Sequence, residues 1–154
     1  MSIEREPQVS ISTVSVASVY DELLPLMRSH FNEISVHSDF GFDVDKELYS
    51  KLDEADRIRV FLARHGSEAI GYSCYFVNKH PHANVIQAYQ DAIYLRPDYR
   101  RLGVGHDLIE FADNYFKDIG VGIVMSAVST KVDFSKTLLK MNYQLVDRLY
   151  ARRL

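Results

Sequence analysis

The sequence predicts an α/β (α+β) fold: a mixed, mostly antiparallel sheet holding one parallel strand pair, with elements in the order βααβββαβαβ. Three observations predict it. Short apolar runs with strand alternation recur along the chain, three successive runs are joined by links too short for a crossover, and an amphipathic helical stretch separates two later runs. A strand, a helical crossover and a second strand in one sheet run parallel.

The chain has 154 residues, 47% hydrophobic and 25% charged, so residues 1–154 read as one ordinary globular domain. The net charge is −3 and the arginines are scattered, which argues against nucleic acid as a partner. A local arginine cluster can still serve a small anion. The single Cys74 forms no intramolecular disulfide and reads as a buried strand residue. With no apolar run near the roughly 20 residues of a membrane span and no leader-like segment, the expectation is a cytoplasmic protein with no membrane partner.

Residues 1–8 show no apolar period and are expected to be a loose tail. Val9 to Val16 alternate apolar residues with Ser and Thr, the period of a half-buried strand. Ser18 can cap a helix carrying Val19, Leu23, Leu26, Met27 and Phe31 on one side, with Pro25 marking a kink. A shorter helix follows Asp45. Ile58 to Arg64 and Ala69 to Val77 read as a hairpin through His65-Gly66-Ser67-Glu68, and Val85 to Leu95 as the next strand. Val104 to Ile119 carry a helical stripe, Val121 to Val128 a parallel strand, Phe134 to Met141 another helix, and Tyr143 to Ala151 a final strand.

The stretch from Asp91 to His106 carries the most chemistry. A strand meets a turn fixed by Pro97, then Arg100-Arg101-Leu102-Gly103-Val104-Gly105 opens an amphipathic helix, so backbone N–H groups and the positive helix end converge on one point. That point suits a phosphate. Gly103 and Gly105 let a pyrophosphate approach the backbone, and Arg100 or Arg101 adds charge-assisted contacts. By itself the pattern is also that of a tight connection. A Gly-Lys-Ser/Thr ending is absent, and the loop does not follow the first strand as in a dinucleotide fold.

Leu95, Pro97, Arg100, Gly103, Val104 and Gly105 stand where the GNAT N-acetyltransferase motif, V-x-P-x-x-R-G-x-G-[IV]-G between a strand and a helix, has its key residues. The element order resembles that fold over nearly the whole chain. Ile93-Tyr94-Leu95, Leu108 to Asp113, His30-Phe31-Asn32-Glu33-Ile34 and the ending Leu149 to Leu154 resemble a small bacterial and phage branch of the family. The resemblance implies a splayed central strand pair and acetyl-CoA in the gap as acyl donor. It implies Tyr94 and Leu95 beside the pantetheine arm and the segment from Arg100 to His106 around the phosphates, with no metal. GNAT domains often pair, so a homodimer through the exposed sheet edges stays open.

An amine acceptor is mostly protonated at neutral pH, so a group must take its proton before attack. Asp91 and Tyr89 fall on one strand face where GNAT enzymes often carry a base or water-holding group; a solvated strand-edge carboxylate is the other reading of Asp91. His30 and Glu33 are candidates for the acceptor pocket, or a solvated helix face. His80 and His82 around Pro81 are too few for a metal site. The pattern breaks at Leu139, which occupies the place of the tyrosine that protonates the departing thiolate in many GNAT enzymes. Acetyl transfer to a primary amine of a small molecule, peptide or protein is the expected function, with a catalytically impaired CoA-binding or protein-interaction module as the alternative. The acceptor is not legible.

Overall fold

A computed structural model describes residues 8–154, so the tail expected over 1–8 lies, except for Gln8, outside the described residues. Strand β1 (Val9–Val14) leads into helix α1 (Val16–Ile34) and, after one 3-10 turn, helix α2 (Lys46–Glu54). Strands β2 (Ile58–His65), β3 (Glu68–Lys79) and β4 (Ile86–Leu95) follow, then helix α3 (Val104–Asp118), strand β5 (Ile123–Ser126) and helix α4 (Ser135–Lys140). The strands lie in sequence order, antiparallel except for the β4–β5 pair, which is parallel.

Local chemistry sets the helix starts. Ser15, rather than Ser18, caps α1 by accepting from the Ser18 amide at 3.3 Å, and Asp45 caps α2 through the Leu48 amide at 2.9 Å. The break in α1 falls at Val19 (φ −125°, ψ 18°), six residues before the proline expected to cause it. Pro25 is carried inside the helix, where the Ser29 hydroxyl donates to the Pro25 carbonyl at 3.0 Å.

Alternation along the strands builds two cores. Ile58, Val60 and Leu62 of β2, with Tyr72 and Cys74 of β3, pack against Leu23, Leu26 and Met27 of α1. On the other face, Phe61, Tyr75 and Val77 pack against Leu108, Ala112 and Phe116 of α3. Among the described residues no helix is long and apolar enough to cross a membrane.

The strand expected over Tyr143 to Ala151 is not formed: residues 143–154 have no regular structure. Apolar residues there come as doublets, Leu145-Val146 and Leu149-Tyr150, separated by Asp147-Arg148, so no single face is apolar and all four are exposed.

Candidate active site

Strands β4 and β5 pair from Gln87–Ile123 to Gln90–Ser126 and then part. At the parting point the buried Gln90 amide donates to the Tyr75 hydroxyl at 2.9 Å and accepts from Ser126 Oγ, closing the apex. The register between β3 and β4 slips there: Tyr75 faces Gln90 while Cys74 faces Ala92, which leaves Asp91 as the extra residue of a bulge. Beyond it the β5 side of β4 has no ladder partner, and a cleft of about 580 Å³ opens between Asp91–Leu95 and Ala127–Ser129.

The start of α3 forms one end of the cleft. Gly103 caps it in the left-handed conformation (φ 85°) and no side chain caps it, so the first amides of α3 keep their donors. Gly103 and Gly105 both line the cleft, and a Cβ on either would meet no atom within 4 Å. Gly105 has no positive φ, so neither backbone strain nor packing within the chain requires a glycine there. The space in front of it suits a ligand that approaches the backbone closely. Arg101 and His106 line the same end, Arg101 itself at φ 68°.

The two expected arginines divide. Arg100 donates from Nη2 to both Glu33 carboxylate oxygens at 2.8 Å and from Nε to the Leu95 carbonyl at 2.8 Å, with its guanidinium 5.7 Å from the Tyr94 ring centroid. It ties α1 to the end of β4 and, like Arg101, also lines the cleft. Arg101 is exposed, lines the cleft and makes no ion pair among the described residues. Of the remaining loop residues, Leu102 points to solvent and Val104 packs with Ala63, Ile70 and Leu95, so neither side chain lines the cleft. Tyr94 and Leu95 line the same cleft.

The α1 wall carries His30 and Glu33, one turn apart on one helix face. His30 Nδ1 lies 3.1 Å from the Tyr72 hydroxyl, and its ring stacks at 5.6 Å on Tyr94. Burial, the largest influence, lowers the His30 pKa; Glu33 opposes this and Arg100 adds to it, so the imidazole is neutral at neutral pH. Asp91 is open to solvent through the cleft, yet desolvation raises its carboxyl above the ordinary value. Its charge in turn adds to the upward shifts of Tyr49, Tyr72 and Cys74, for each of which burial is the larger cause.

Tyr89 is not brought to this cleft. It sits where β4 and β5 are still paired, opposite Met125, and lines a separate cavity of about 350 Å³ with Leu52, Arg57 and Phe76. Alternation placed it on the face of Asp91, but the splitting of the strands separates them lengthwise. Leu139 is exposed and outside the cleft, and Tyr143 donates to Asp113 Oδ1 at 2.6 Å on α3. The wall opposite β4 offers Ser129, Lys136 and Thr137, which sequence reasoning missed because nothing in their pattern sets them apart. Among the described residues the one grouping of metal-type donors is His106, Asp107 and Glu110, all exposed, with ligand atoms within 4.8 Å of one another. Exposed side chains of this kind need no ion.

The profile described as "Acetyltransferase (GNAT) family" matches residues 17–142. No curated protein sequence matches the chain. Among solved structures, the chain is similar to the aminoglycoside acetyltransferase meta-AAC0020 from an uncultured soil metagenomic sample, in complex with sisomicin: 18% identity, TM-score 0.72, covering 94% of this chain and 97% of that one. Aminoglycoside N-acetyltransferase AAC(6')-Iy in complex with CoA is similar at 16% identity and TM-score 0.74, covering 99% and 98%. The ribosomal-protein-alanine N-acetyltransferase from Brucella melitensis biovar Abortus 2308 is similar at 17% identity and TM-score 0.73, covering 96% and 99%.

Proposed function

The chain belongs to the GNAT acetyltransferase family and is an acetyl-CoA-dependent N-acetyltransferase, and from that premise we propose how its cleft divides the work. The observation that carries the reading is the open backbone at Gly103 and Gly105 at the end of a strand gap. The α3 amides and Arg101 take the pyrophosphate of acetyl-CoA. The pantetheine lies along the unpaired edge of β4 at Tyr94 and Leu95, as an added strand would.

The acceptor, a primary amine, enters from the α1 wall. Asp91, aimed into the cleft by its bulge, takes the ammonium proton. His30, kept neutral by burial, is the second group on that wall able to accept one, whereas Glu33 is neutralised by Arg100. The amine nitrogen attacks the thioester carbonyl, the C–N bond forms and the C–S bond breaks. CoA thiolate leaves with a proton from solvent or from a hydroxyl of the opposite wall, Ser129 or Thr137. Because a thiolate is a good leaving group, the loss of the tyrosine at Leu139 is tolerable. The aminoglycoside and ribosomal-protein specificities of the structural neighbours belong to those proteins; here the acceptor class stays at primary amines. The lone buried Cys74 fits a reducing cytoplasm.

The test is thiol release from acetyl-CoA across a panel of primary amines. Direct transfer predicts release that requires an amine and intersecting initial-rate patterns. Release without any amine, or parallel patterns, contradicts direct attack, and tight acetyl-CoA binding with no release across the panel supports a binding module instead.

A further inference from the structure

On the reading that the acceptor amine meets Asp91, we propose that the cavity beside Tyr89 is the far half of the acceptor site and holds a carboxylate. The preferred acceptor is then an amino acid whose amine and carboxylate stand at opposite ends of an apolar stem. The cavity measures about 350 Å³, with Leu52 of α2, Phe76 of β3, Tyr89 of β4 and Met125 of β5 as apolar walls and Arg57 and Asn78 as polar ones.

This cavity and the cleft share no lining residue, yet they follow one another along the sheet. On β4, Tyr89 lines the cavity and Asp91 the cleft; on the other side Met125 lines the cavity and Ala127, just past β5, the cleft. Two residues along a strand advance about 7 Å. Leu52 and Phe76 pack against the core beneath α1, and the charge of Asp91 acts on Tyr49, Tyr72 and Cys74 of that same core. Both spaces therefore lie on the sheet face covered by α1 and α2. Gln90, the residue between Tyr89 and Asp91, turns its side chain to Tyr75 on the other face and does not stand between them.

The polar wall is chemically one-sided. Arg57 donates from Nε to the Val77 carbonyl at 3.0 Å, which fixes the guanidinium and leaves its two Nη nitrogens without a partner among the described residues. Asp56, the neighbouring carboxylate, is paired with Arg59 instead at 2.6 Å. Asn78 accepts through Oδ1 from Gln87 Nε2 at 3.3 Å, so its own amide N–H groups remain to donate. No carboxylate lines the cavity. A held guanidinium beside an amide donor suits a carboxylate, whereas an ammonium finds no counter-charge there.

The register sets the length of the ligand. Val77 faces Ala88, so the guanidinium stands three residues back from Asp91 along β4 and one strand to the side. Those steps are about 10 Å and about 5 Å, a separation on the order of 11 Å. α-Amino acids, whose two groups share one carbon, cannot span it. A methylene or aromatic stem fits the apolar walls between.

The probes are ω-aminoalkanoates of increasing length, each beside its own amide. The value of kcat/KM is expected to peak where amine and carboxylate stand about 10 Å apart, and there to favour the acid over its amide by about tenfold or more. Equal rates for acid and amide at every length overturn the carboxylate subsite while leaving acetyl transfer to amines intact. Arg57→Gln is expected to bring the acid-to-amide ratio near one, and Arg57→Lys to restore part of it; a ratio that Arg57→Gln leaves unchanged overturns the role of Arg57. Calorimetric binding of the acid of that length, with CoA present, is read apart from turnover: the parent is expected to bind it about tenfold or more tightly than Arg57→Gln does. No binding to the parent overturns the subsite. Binding that weakens in Arg57→Gln without any acetyl transfer supports the subsite and contradicts instead the assignment of the amine to Asp91.

Discussion

Gly71 and Gly105 stand on opposite sides of Leu95 and are glycines for opposite reasons. A Cβ on Gly71 would lie 2.7 Å from the Tyr94 carbonyl oxygen and 2.8 Å from Leu95 Cδ1, so β3 and β4 meet there only because the side chain is missing. A Cβ on Gly105 would meet nothing. The first glycine is a requirement of the fold, and the second has no reason inside the chain. The same division separates the two halves of the β4–β5 pair: closed by Gln90, Tyr75 and Ser126 up to the apex, open from Asp91 onward. Where backbone partners run out, the molecule stops building itself and starts building a site.

If that division is sound, changes on the open side cost function and spare stability, and changes on the closed side do the reverse. The largest effect is expected from Asp91→Asn, with kcat/KM lowered by about 10²-fold or more, as for loss of a proton acceptor. The loss should be accompanied by disappearance of the fall in rate at acidic pH. Its stability effect has the opposite sign. Desolvation raises the native pKa of Asp91, so the stability tied to its protonated form is complete below the ordinary value of 3.8 and is lost as pH rises through the native pKa. Asp91→Asn therefore leaves Tm unchanged or slightly higher at neutral pH, with the difference vanishing under acid. A drop in Tm with unaltered rate would place Asp91 among structural residues.

Gly71→Ala comes next, with about 3 kcal/mol of stability lost, or roughly 6–12 °C in Tm, because two strand backbones must move apart. A variant as stable as the parent would show that the joint is slack and the comparison void. The smallest effect is expected from Glu33→Gln. It breaks a half-exposed bidentate pair, costs about 1 kcal/mol in thermal unfolding, and leaves acetyl-CoA affinity where it was. A loss of affinity as large as that of Arg101→Ala would return Arg100 to the phosphates.

Much of this arrangement is legible in the sequence. The strand periods, the hairpin at Gly66 and the glycine lead-in to α3 are local patterns, and local patterns are what sequence reading handles well. What was missed is non-local. Glu33 claims Arg100 from 67 positions away, a pairing that no spacing rule marks. The bulge that aims Asp91 exists only in the register against β3, and the separation of Tyr89 from the cleft follows from where β5 leaves β4. The segment after Tyr143 misled for a different reason. Its composition is strand-like, but its doublets ask for cover on two faces that the rest of the chain does not provide. Leu139 read as a missing catalytic group; its exposure shows that this helix position does not face the cleft at all.

The most direct test of the central claim compares the parent chain with Gly105→Leu, measuring Tm without ligand and the rise in Tm with acetyl-CoA, CoA and ATP. A ligand that binds only the folded state must raise Tm. Leu is a better helix former than Gly, by up to about 1 kcal/mol, and its side chain meets no protein atom, so the ligand-free variant should be at least as stable as the parent. The parent should shift with acetyl-CoA and CoA but not ATP. In the variant that shift should collapse, with affinity down by about 2 kcal/mol, or roughly thirtyfold, for the lost amide–phosphate contacts. Equal shifts in the two proteins, or none in the parent, would contradict the reading of this loop as the place where the chain holds its acyl donor.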